Sequence, residues 1–118
     1  MTTKQLEASV RHERGAAVIE LRGEIHAGAE DALNAAYAEA ESRDPEAILL
    51  NFRAVGYINS TGIALIVGLL ARARKSDRRL MACGLSEHYV EIFQITRLAD
   101  YMSLFADEAS ALAEAQIP

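Results

Sequence analysis

The sequence predicts a small α/β domain with element order ββαβαβαβα: a mixed, mostly parallel sheet with an N-terminal β-hairpin and helices packed against it. Three observations predict it. Two runs near the N-terminus alternate in polarity with a glycine between them. A short, nearly all-apolar run at 47–52 reads as a strand covered on both faces, which is typical of parallel sheets under helices. From there to the C-terminus, short apolar runs alternate with segments of helical period, the pattern of a layered α/β fold with right-handed crossovers.

The elements follow in order. Leu6–Arg11 places Leu6, Ala8 and Val10 at period two, and Ala16–Arg22 continues after Glu13-Arg14-Gly15, so the pair reads as a hairpin that Gly23 ends. In GAEDALNAAYAEAES, Ala29, Ala32, Leu33, Ala36, Tyr37 and Ala40 share one helical face, and small residues there allow close approach to a sheet. Asp44-Pro45 stops this helix, because proline disfavours helix in the residue before it. The strand Ala47–Phe52 is followed by a helix over Ile63–Ser76, with Ile63, Ile66, Val67 and Leu70 inward; as the most apolar helix, it is expected to be the best buried. Leu80–Cys83 forms the next strand. Ser86 caps a helix through Tyr89, Val90 and Phe93. Met102–Ala106 is the last strand, and Asp107 caps a terminal helix built on Ala109, Leu112 and Ala113.

Composition narrows the function classes. With 118 residues, 51% of them apolar and 25% charged, the chain suits one domain spanning 1–118 that can bury a real core without staples. A single cysteine, Cys83, excludes an internal disulfide and fits a reducing compartment; it is expected to pack in its strand. The N-terminal MTTKQLEASVRHER lacks an apolar signal core, and the longest apolar run is about half of the roughly 20 residues a bilayer requires, so a cytoplasmic location without membrane insertion is expected. A net charge of −5 argues against nucleic acid as a partner. One cluster runs the other way: Arg72, Arg74, Lys75, Arg78 and Arg79. Its simplest reading is a helix C-terminus and solvated turn, where cations complement the dipole.

The most informative stretch is Asn51-Phe52-Arg53-Ala54-Val55-Gly56-Tyr57-Ile58-Asn59-Ser60-Thr61-Gly62, which joins the most buried strand to the most apolar helix. Asn59, Ser60 and Thr61 all stand where a helix N-cap belongs. The first amides there have no helical acceptor and carry the positive dipole end, so a phosphate would meet donors and a favourable field. Spacing alone favours plain capping by a Ser or Thr here, a role worth about 1 kcal/mol.

The segment NFRAVGYINSTGIALIVGLL, residues 51–70, resembles the signature of the STAS domain, the fold of bacterial anti-sigma-factor antagonists. Leu21-Arg22-Gly23-Glu24-Ile25 resembles that family's turn after its second strand. Ile95–Tyr101 resembles its late turn, and Ala109 and Leu112 match its terminal helix. The resemblance implies a regulatory binding module and not an enzyme, with Ser60 as phosphoacceptor. Its implied partners are an anti-sigma factor with serine kinase activity and a serine phosphatase that resets it. Ile25, His26, Ala27 and Gly28, together with Tyr57, Ile58, Asn59, Thr61 and Gly62, are expected to form one docking patch, since each stretch follows a strand end. The chain departs from the family at two positions that commonly hold aspartate, here Asn59 and His26. A second role for such domains is an unphosphorylated scaffold or accessory subunit of a stress-signalling assembly or membrane transporter.

Other chemistries find no motif. Ile58-x-Ser60-x-Gly62 lacks the first glycine of a nucleophile elbow. His12, His26 and His88 have no zinc spacing, and neither GxxxxGK[ST] nor GxGxxG is present, so no cofactor or metal is expected.

Overall fold

In the computed structural model, residues 5–13 and 15–115 are described; Arg14 of the expected hairpin joint lies outside them. Strands β1 (Glu7–Glu13) and β2 (Ala16–Ile25) are followed by a short 3-10 turn, Ala27–Ala29, and helix α1 (Glu30–Glu41). Next come β3 (Ala47–Ile58), α2 (Ser60–Lys75), β4 (Arg79–Cys83), α3 (Glu87–Ile95), β5 (Ser103–Phe105) and α4 (Glu108–Ala115). The five strands lie in the order β1-β2-β3-β4-β5. β1 and β2 are antiparallel and every other pair is parallel.

Period-two alternation divides the sheet's side chains between two apolar layers. On one face Ile19, Leu21, Ile48, Leu50, Leu80 and Ala82 pack against Leu33 and Tyr37 of α1, Ile66 and Leu70 of α2 and Phe93 of α3. Phe52 meets Phe93 edge to face at 6.1 Å between ring centres, a favoured aromatic geometry. On the other face Val18, Leu49, Met81 and Cys83 lie beneath Ala111, with Leu112 and Ala115 alongside. Residues 48–50 are thus buried from both sides, which is why they read as a continuous apolar run.

Four expectations need correction. Gly23 does not end β2, which runs to Ile25 through register shifts against β3. Gly23 sits at φ +114° hard against the Gln5 carbonyl, so the glycine accommodates a bulge there and not a strand end. β3 likewise continues past Phe52 to Ile58, because β2 keeps pairing with it as far as Ile25↔Ile58. In α2 Val67, expected inward, is 45% exposed, and the core face is instead formed by Ile66, Leu69, Leu70 and Ala73. In α4 the inward residue is Ala111 with Leu112 half-buried, while Ala109 and Ala113 face outward.

Candidate functional site

The β3–α2 junction is built by two backbone devices. Asn59 is extended (φ −94°, ψ −178°), and its side-chain oxygen accepts from the Gly62 amide at 2.8 Å. The Asn59 carbonyl accepts from the Ile63 amide at 2.9 Å, and the Asn59 amide donates to the Ile25 carbonyl at 3.1 Å. Asn59 alone is therefore the cap, and Ser60 and Thr61 are the first helical residues. Ser60 is thereby released from the capping role that spacing favoured, and both Ser60 and Thr61 are exposed.

Of the first amides that no helical carbonyl reaches, those of Asn59 and Gly62 are bonded as described. Those of Ser60 and Thr61 lie at the helix mouth. The first turn of α2 holds no acidic residue, so the positive dipole end is not offset within the helix.

The two stretches meet. Ile25 pairs with Ile58, and Gly62 packs against the Ile25 carbonyl so closely that a Cβ would collide with it. Ile25, Ile58 and Gly62 are buried and set the geometry of the junction. Ala27, Gly28, Tyr57, Ser60 and Thr61 are exposed, with Tyr57 48% accessible. His26 is half-buried and caps the 3-10 turn, its Nδ1 accepting from the Gly28 amide at 3.0 Å. With Nδ1 as acceptor, the neutral ring carries its proton on Nε2, which is buried without a partner among the described residues.

Two features of the site had no clear sequence signal. The Tyr89 hydroxyl, from α3, accepts from the Ile58 amide at 2.9 Å. The rungs between β3 and β4 stop at Asn51↔Cys83, so Tyr89 supplies an acceptor where strand pairing has ended. The second feature is the outward stripe of α2. Thr61, Ala64, Val67, Gly68 and Ala71 are all exposed, and no charged residue lies between Ser60 and Ala71. The periodicity showed an apolar helix but not which side stayed open.

Comparison with known proteins agrees with this architecture. Residues 7–111 match the STAS domain family. An anti-sigma-B factor antagonist of Staphylococcus aureus (strain NCTC 8325 / PS 47) is 38% identical over 55 residues, 47% of this chain and 51% of that protein. The chain thus spans about half the length of the curated relatives it matches. Among solved structures, an anti-sigma factor antagonist from Mycobacterium paratuberculosis superposes with a TM-score of 0.82 at 18% identity, covering 96% of each chain. The Bacillus cell fate determinant SpoIIAA in its phosphorylated form gives 0.71 at 22% identity, covering 92% of this chain and 99% of that one.

Proposed function

Since the chain belongs to the STAS domain family, we propose that it is an anti-sigma-factor antagonist: a cytoplasmic regulatory module that binds an anti-sigma factor and is switched off by phosphorylation of Ser60. One observation carries the reading. Ser60 is exposed in the first turn of α2 while its neighbour Asn59 does the capping, so its hydroxyl is spared for chemistry with another protein.

The switch follows from charge. A phosphoryl group on Ser60 adds nearly two negative charges at the centre of the contact surface. Within the protein this is tolerated, because the group sits at a helix N-terminus with no acid in its first turn. Against a partner surface built for a neutral hydroxyl it brings desolvation cost and repulsion, and docking fails. The docking patch comprises Ala27, Gly28, Tyr57, Ser60 and Thr61, and it extends along the uncharged stripe through Ala64, Val67 and Gly68. In this reading the protein is a substrate of the anti-sigma factor's kinase activity and of a serine phosphatase, and it catalyses nothing itself.

The test is intact-mass measurement after incubation with ATP and the cognate kinase, together with binding of Ser60→Asp to that kinase. One phosphoryl on the wild type, none on Ser60→Ala, and lost binding by Ser60→Asp support the switch. No added phosphate together with undiminished binding by Ser60→Asp would overturn it.

A further inference from the structure

The basic cluster noted in the sequence is not used by the Ser60 site. α2 is 16 residues long, so its C-terminal end lies about 24 Å from Ser60 at about 1.5 Å per residue. At that far pole Arg74, Arg78 and Arg79 converge with Tyr101 and Ser103 on a cavity of about 330 Å³. Dipole complementation accounts for Arg72, Arg74 and Lys75, which occupy the last turn. It does not account for Arg78 and Arg79, which lie beyond the helix. Nor does it explain why side chains from a helix end, a turn and the start of β5 line one hollow.

We propose that this cavity binds a small organic phosphate. The wall supplies the recognition chemistry. Arg74 and Arg79 are exposed, and neither forms an ion pair among the described residues. Planar guanidinium forks match phosphate oxygens better than ammonium groups do. The Arg74 guanidinium lies over the Tyr101 ring at 4.8 Å, which restrains its orientation. Arg78 is held in place: its side chain is 8% exposed and donates to Asp44 at 3.0 Å and to the Pro45 carbonyl at 3.3 Å. The pairing with Asp44 offsets its charge, so Arg78 serves as an ordered part of the wall while Arg74 and Arg79 supply the free charge. The Ser103 and Tyr101 hydroxyls add donors, since Ser103 is exposed and Tyr101 is 56% accessible.

The exposed Tyr101 ring offers carbon surface beside the largely buried Leu70 and Leu80, so the cavity suits a ligand with a carbon body as well as a charged head. Asp77 is the one carboxylate lining it. With Arg78 paired to Asp44, Arg74 and Arg79 against Asp77 still leave the cavity positive in a chain whose net charge is −5, so the local field is a property of this pole. Asp77 opposes an anion, and this makes it a diagnostic position.

The experiment is titration of the full chain with phenyl phosphate, inorganic phosphate and sulfate, followed by the amide resonances of residues 74–79 and 101–103. Phenyl phosphate is expected to bind saturably and more tightly than either inorganic ion. The double substitution Arg74→Ala with Arg79→Ala weakens it by roughly tenfold or more, while Asp77→Asn strengthens it several-fold. Asp77→Asn keeps the fold testable, because asparagine tolerates the left-handed backbone at that position (φ +55°). No saturable change with phenyl phosphate sinks the proposal. So does equal response to sulfate (an adventitious ion only), binding indifferent to all three substitutions, or capture of a phosphoserine peptide without phenyl phosphate.

Discussion

The Asn59 side-chain oxygen accepts the Gly62 amide at 2.8 Å, and that single bond decides which residue of the Asn-Ser-Thr trio is the cap. Asn59→Ala removes it and is expected to lower stability by about 1 kcal/mol. Asn59→Asp keeps an acceptor and places a negative charge at the positive dipole end, so it should match or exceed the wild type by about 0.3–1 kcal/mol. Urea denaturation of both variants checks the pair.

Two glycines of α2 should respond in opposite ways to the same substitution. Gly62→Ala drives a methyl into the Ile25 carbonyl. Backbone on both sides must give, and a loss of about 1–3 kcal/mol is expected. A Cβ at Gly68 meets nothing within 4 Å, so Gly68→Ala should gain up to about 1 kcal/mol from helix propensity. Thermal melts that ranked the two alike would contradict the packing described here.

Val67 tests the docking stripe separately from the fold. It is 45% exposed on the open side of α2, so Val67→Asp leaves the core intact and should change stability by less than about 0.5 kcal/mol. At a protein interface the same buried, unpaired charge costs about 2 kcal/mol or more, a loss of roughly thirtyfold in affinity for the anti-sigma factor proposed above as the partner. Calorimetry with the purified partner gives the second number and circular dichroism the first.

Tyr89→Phe leaves the Ile58 amide without its acceptor at 2.9 Å. The site is partly buried, so a loss of about 1–3 kcal/mol is expected. Faster hydrogen exchange at Ile58, with little change at residues 48–50 beyond the global loss, would localise the effect to the junction.

Burial beneath α4, reinforced by Glu108 and Asp107, pushes the Cys83 thiol up from 9.0 to about 11. Folding therefore favours the protonated form. Its contribution is complete below about pH 9 and is lost as pH rises toward about 11, because only the unfolded thiol ionises readily over that interval. Stability should fall there by about 1.4 kcal/mol per pH unit in the wild type and more gently in Cys83→Ala. Urea midpoints compared at neutral and alkaline pH measure the difference.

The hairpin, the double-covered strand and the alternation of strands and helices were legible because each is written in local polarity. The far ends of β2 and β3 were not. Gly23, Arg53 and Gly56 weaken any strand signal, and the pairing that extends these strands is with each other, out of reach of a local window. Ser60 was singled out by the STAS resemblance and not by spacing, and choosing Asn59 as the cap required its backbone angles. The open side of α2 was hidden for a related reason: a helix apolar nearly all round carries no mark of which face the sheet leaves bare. The far-pole cavity was illegible because Tyr101 and Ser103 join the arginines only through the fold.

β3 keeps β2 beside it as far as Ile58, yet its last rung with β4 is at Asn51. The residues from 52 to 58 therefore form a cantilever, anchored in the central layers at one end and flanked by a single strand. On the side where β4 has ended, its bracing comes from Tyr89 of α3 and from the core contacts of Phe52 and Ile58. Load applied at the tip therefore passes to α3 and the helical layer through Tyr89, Phe52 and Ile58 before it reaches β4.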